Sequence, residues 1–128
     1  MSRVGKALGD VFGIFINEDG LYRLKRNVVD LYQSLYAEIL ESILTDLVIH
    51  IDETTVRLRH QKGYVWVMTS MDKVYYFYKP SREGAFLKDM LGKFSGVLVS
   101  DFYTAYDSLK CEQQKCLVHL VRDIDDDL

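Results

Sequence analysis

A chain of 128 residues is one domain's worth, long enough to bury a core, and its 48% apolar and 27% charged residues are ordinary for a globular protein. The net charge of −3 argues against tight, purely electrostatic DNA binding by this chain alone. Two cysteines, Cys111 and Cys116, do not make a disulfide-stapled secreted domain, and no apolar run approaches membrane-spanning length. Residues 1–20 are weakly patterned, with Gly5, Gly9, Gly13 and Gly20 spread through them. Arg3 and Lys6 ahead of an apolar patch faintly suggest a signal peptide. Asp10 interrupts that patch and no small-residue cleavage site follows, so the expectation is a cytoplasmic protein. Asn17-Glu18-Asp19-Gly20 reads as a turn. From 21 to 44 the chain predicts a helix, because Leu21, Leu24, Val28, Leu31, Leu35, Ile39 and Ile43 recur every three or four residues. Such a stripe needs a sheet, a partner or a further part of the protein to cover it; core packing is the simplest reading.

Leu47–Thr54 (LVIHIDET) is a short, β-branched apolar run that ends on an acid, and it predicts a buried strand. With a period of two, His50, Asp52 and Thr54 share one face, while Ile49 and Ile51 point the other way. Val56–His60, Tyr64–Ser70 and Val74–Tyr78 continue a three-stranded antiparallel meander, with turns at Gln61-Lys62-Gly63 and Met71-Asp72-Lys73; no Gly or Pro marks the join after Thr54. Pro80 ends the sheet run, and Ser81 is the expected N-cap of a helix to about Leu91, stopped by Gly92. Gly96–Asp101 (GVLVSD) repeats the strand-then-acid design. A short helix near Tyr103–Leu109, a strand near Gln114–Val118 and a helix from His119 complete the prediction. The division is a helical segment, 1–46, and a core from 47 to 128.

If the strands bearing Asp52 and Asp101 are parallel neighbours, their acids meet at one edge of the sheet as a divalent-metal site. A carboxylate in such a strand is costly to bury unless something pairs with it. Phosphodiester cleavage develops negative charge on attacking and leaving oxygens, and two Mg²⁺ ions roughly 4 Å apart stabilise both. Hard cations take oxygen ligands, and a carboxylate between two of them can bridge the pair.

The predicted order β-β-β-α-β-α-β, with acids ending the first and fourth strands, is the ribonuclease H-like pattern, a mixed α/β (α+β) fold. The blocks DET (Asp52–Thr54), GYVWV (Gly63–Val67), PSR (Pro80–Arg82), GVLVSDFYTAYD (Gly96–Asp107) and CLVHLVRD (Cys116–Asp123) carry a resemblance over about residues 47–125. In that order and spacing they resemble DDE-type insertion-sequence transposases, nearest the insertion-sequence sixty-six group. The resemblance implies that Asp52 and Asp101 are the first two catalytic acids and hold Mg²⁺ or Mn²⁺. It implies that Cys116 and His119 form a Cys-x-x-His motif, and that the partners are DNA (transposon ends and target) and further copies of the chain, with no membrane. Water would cut the transposon end, and the freed 3′-hydroxyl would attack target DNA. In such transposases the third acid, a glutamate, lies well beyond the Cys-x-x-His motif, whereas this chain ends nine residues after His119. The expectation is therefore a truncated piece, inactive alone, without the N-terminal DNA-binding region.

Blander readings stand beside these. Asp52 and Asp101 could be strand-end caps or ion-pair partners. Glu53 points away from Asp52 and reads as structural or hydrogen-bonding. His50 could tune Asp52, but reads more simply as a satisfied core histidine. Two ligands, Cys116 and His119, make no closed zinc site, so packing and substrate positioning are assigned to them. Arg57, Arg59 and Lys62 form the best DNA-facing patch, though a solvated edge strand explains them equally. Arg82 and Arg122 reach either phosphate or nearby acids. Asp107 reads as a solvated helix position, and the acidic run Asp123–Asp127 as the start of a helix. A related metal-dependent nuclease, or a non-catalytic DNA-binding or dimerising remnant using the 21–44 helix, remains an alternative.

Overall fold

The computed structural model describes residues 2–59 and 61–127, in two compact units that divide between residues 37 and 38. In the first unit, the weakly patterned start is a helix, α1 (Arg3–Phe12). Ser2 caps it, its Oγ accepting from Gly5 N–H at 3.1 Å. Gly13 closes it at φ 66°, with its N–H on Gly9 and that of Ile14 on Leu8, a left-handed turn for which glycine is suited. The expected turn at 17–20 is instead the first turn of α2 (Glu18–Ile43). Asn17 Oδ1 accepts from Gly20 N–H at 2.8 Å, and Glu18 and Asp19 suit the positive end of the helix. Core packing of the whole 21–43 stripe does not hold. Leu24, Val28, Leu31 and Leu35 are exposed, and only its last part, Ile39, Leu40 and Ile43, packs into a core, that of the second unit.

The second unit is a mixed five-stranded sheet in the order β3-β2-β1-β4-β5. Its strands are β1 (Val48–Leu58), β2 (Gln61–Thr69), β3 (Val74–Lys79), β4 (Val97–Ser100) and β5 (Glu112–Lys115). β1 pairs antiparallel with β2, and β2 with β3, whereas β1–β4 and β4–β5 are parallel. The unmarked join after Thr54 is no join: β1 is one strand of 11 residues. Gln61-Lys62-Gly63 is not a turn but the start of β2. Leu58 pairs with Gln61, and Arg59 takes the tight corner at φ 50°. His60, at the predicted strand end, lies outside the described residues.

Three other boundaries move. Helix α3 (Ala85–Leu91) starts well after Ser81, which is not its cap; Gly84 occupies the cap position. The predicted helix at 103–109 is a short 3-10 turn, Thr104–Ser108. β5 ends at Lys115, so Cys116 follows the strand, and α4 (Leu117–Asp127) begins two residues before His119. The acidic run forms the end of α4, not its start.

Strand alternation sets the core. Ile49 and Ile51 of β1, Trp66 and Met68 of β2, and Leu98 of β4 are buried with Leu87, Leu91, Phe94, Tyr106 and Ile43. Each fully buried aliphatic side chain contributes about 1.5–3 kcal/mol. Trp66 stacks on Phe77 and meets Phe86 edge-on at 5.1 Å. On the opposite face of β1, His50, Asp52 and Thr54 are exposed.

Candidate metal centre

Asp52 stands on β1 opposite Val67, and Asp101 follows directly on the last residue of β4. The β1–β4 register pairs His50 with Val99; carried two residues on, it sets Asp101 beside Asp52. Because β4 stops at Ser100, β1 has no strand neighbour on that side from there on. Both of its faces border the gap where Asp101 emerges. One oxygen each of Asp52, Glu53 and Asp101 lies within 4.8 Å of the others. This is the only group of three potential ligands so close together among the described residues.

Local backbone donors aim two of the acids. Asp52 Oδ1 accepts from Glu53 N–H at 2.8 Å, and Asp101 Oδ1 from Tyr103 N–H at 3.0 Å. Glu53 differs, because the alternation of β1 turns it inward, opposite Trp66, and its side chain is only 2% exposed. Arg82 meets it there: Nε and Nη2 both reach Glu53 Oε1 at 2.5 Å, and Nη2 lies 3.6 Å from Asp101 Oδ2. Tyr106 donates its hydroxyl to Glu53 Oε2 at 3.1 Å. Burial, then the charges of Glu53 and Asp101, push the Tyr106 phenol far above its usual range, so it remains a donor. Tyr103 donates to the Arg82 carbonyl at 2.9 Å, and its ring lies 4.2 Å from the guanidinium.

A cavity of about 210 Å³ opens beside the acids, lined by His50, Asp52, Ser100, Asp101, Cys116 and His119, among others. His50 is thus exposed at the site and is no core histidine. Cys116 is held next to β4 by its N–H on Ser100 O at 2.7 Å. The His119 backbone N–H and then its imidazole hold the Cys116 thiol below its ordinary range. His119 Nδ1 is buried with no hydrogen-bond partner among the described residues.

The basic residues divide. Arg57, Arg59 and Lys62 are exposed at the tip of the β1–β2 hairpin, with no carboxylate in ion-pair range among the described residues. Arg57 pairs directly across from Lys62, an unfavourable arrangement of like charges that an anion would relieve. Arg122 is exposed on α4. Arg82 alone is drawn to the acids. Asp107 is exposed and paired with Lys115 at 3.3 Å.

What the sequence reading missed is the Glu53–Arg82–Tyr106 network. Its one legible signal was the period of two, which sets Glu53 on the buried face and so demands a cation. The donor set fits a divalent ion: the oxygens are hard, and three carboxylates against one guanidinium leave two negative charges uncompensated. A family model described as Transposase IS66 family matches residues 1–127. No curated protein matches the chain.

Proposed function

The chain belongs to the Transposase IS66 family, and from that membership we propose that residues 47–128 are catalytic core of the ribonuclease H-like, DDE type, preceded by a helical segment, 1–46. A transposase acts on DNA, so the substrate class is DNA, and the acids serve phosphodiester chemistry at transposon ends and target. The observation that carries this reading is the meeting of Asp52 and Asp101 at one edge of the sheet, on parallel neighbouring strands. Asp52 and Asp101 would hold Mg²⁺ or Mn²⁺, which supplies Lewis-acid stabilisation of the attacking and leaving oxygens when a pair of ions is bound. Cys116 and His119 shape the cavity wall on the same side and position substrate. Arg57, Arg59 and Lys62, unpaired by acids, take DNA phosphates at the hairpin tip, and Arg122 does so from α4. Arg82, assigned from sequence to either phosphate or acids, serves the acids. The exposed stripe of α2 pairs with a second copy of the chain.

Calorimetric titration with Mn²⁺ tests the centre. Wild type should bind, and Asp52→Asn and Asp101→Asn should each lose at least about tenfold in affinity, the low end of what losing even an outer-shell partner of a metal ligand costs. Equal binding by all three would remove these two acids from the reading.

A further inference from the structure

Three carboxylates, one oxygen of each within 4.8 Å of the others, repel, and the side chain of one of them, Glu53, is almost wholly buried. A buried carboxylate without a cation is strongly destabilising. The cation that answers it comes from the loop after β3, an edge strand of the sheet that β2 separates from β1. That loop is tied down at the site: Tyr103 holds the Arg82 carbonyl and stacks under its guanidinium, while the same tyrosine's N–H aims Asp101. Two Arg82 nitrogens grip one Glu53 oxygen and Tyr106 takes the other, so both oxygens of Glu53 are engaged from within the protein. The remaining reach of Arg82 Nη2 is toward Asp101 Oδ2.

We propose that Arg82 is a resident counter-cation of the metal centre: it keeps Glu53 out of the ligand set and braces Asp101, leaving Asp52 and Asp101 to face an incoming divalent ion. The proposal rests on the reading of those two aspartates as metal ligands. Arg82 acts through Glu53 and Asp101 and is a positioning residue. Its charge also opposes the incoming cation, so affinity for metal is held below what three free carboxylates would give.

The test is Mn²⁺ calorimetry at low ionic strength, with thermal melting, on the full chain and on Arg82→Gln, Arg82→Lys, Glu53→Gln and the double variant Arg82→Gln/Glu53→Gln. Loss of one positive charge beside the ion and release of Glu53 should make Arg82→Gln bind on the order of tenfold tighter than wild type. Its metal-free melting temperature should fall, and Mn²⁺ should raise it by more than it raises wild type. The double variant restores the charge balance and should bind like wild type, as should Arg82→Lys, which keeps the charge. Glu53→Gln leaves Arg82 only Asp101 to pair with and should bind more weakly. If Arg82→Gln does not fold, the Glu53→Gln result decides alone: unchanged or tighter binding overturns the proposal. If wild type binds and Asp52→Asn does not, while Arg82→Gln binds no tighter than wild type, the counter-cation role is wrong and the metal centre stands. If wild type binds no Mn²⁺, the metal centre itself fails, and the proposal with it.

Discussion

At the scale of the residue, the two acids were legible because each ends a short apolar run, so a strand must deliver it to an edge. Their partner was not legible. Arg82 lies 29 residues from Glu53, and nothing local in Pro80–Arg82 says which acid it meets. The same holds for the two thiols, which look alike in sequence and differ in the fold. Burial pushes the Cys111 thiol up, while the His119 backbone N–H and imidazole hold that of Cys116 down. Both are free. Alkylation by iodoacetamide across a pH series, read by peptide mass spectrometry, should therefore reach its half-maximal rate at lower pH for Cys116 than for Cys111. The reverse order would mean that His119 does not face the thiol.

At the scale of the element, strand identity was readable and strand ends were not. The apolar alternation of Leu47–Thr54 predicted a strand, but the continuation of β1 to Leu58 depends on nine pairings to β2, which hold polar Thr54, Thr55 and Arg57 in extended form. Helix α1 escaped the apolar pattern, although Ser2 and Gly13 bracket it with the residues that suit its ends. Gly96 shows how one position sets the site. A Cβ there would collide with the Leu47 carbonyl oxygen, which accepts from Val97 N–H at 2.8 Å as β4 enters beside β1. Gly96→Ala should cost about 1–3 kcal/mol in urea unfolding and weaken Mn²⁺ binding by shifting Asp101. Wild-type stability in that variant would show that β4 approaches β1 less closely than described.

At the scale of the whole molecule, the two units differ in how they use their apolar residues. The second buries its apolar face under α3 and the 3-10 turn, whereas α2 leaves Leu24, Val28, Leu31 and Leu35 exposed, Leu31 at 72%. No helix among the described residues is long and apolar enough to cross a membrane. Pairing with a second copy of the chain through this stripe is the proposal made above. Size-exclusion chromatography with light scattering should show wild type growing in mass with concentration, and Leu31→Lys remaining at the monomer mass. A wild-type monomer at all concentrations would count against pairing through α2.

By itself, the sequence determined what is local or periodic. It determined the strands through alternation, the long helix through its repeat, and the two aspartates through their position at the ends of apolar runs. Local backbone geometry reads off such signals directly, because the pattern and the structure share one period. The tertiary structure alone decided what depends on distance in the chain. It decided that Val48–His50 and Val97–Val99 lie side by side and so bring Asp52 to Asp101. It decided that Arg82 is the cation that grips Glu53, that a cavity opens on the face His50 shares with Asp52, and that most of the α2 stripe is exposed. Those outcomes follow from packing and charge pairing between segments far apart in sequence, and no single segment contains both halves of the interaction.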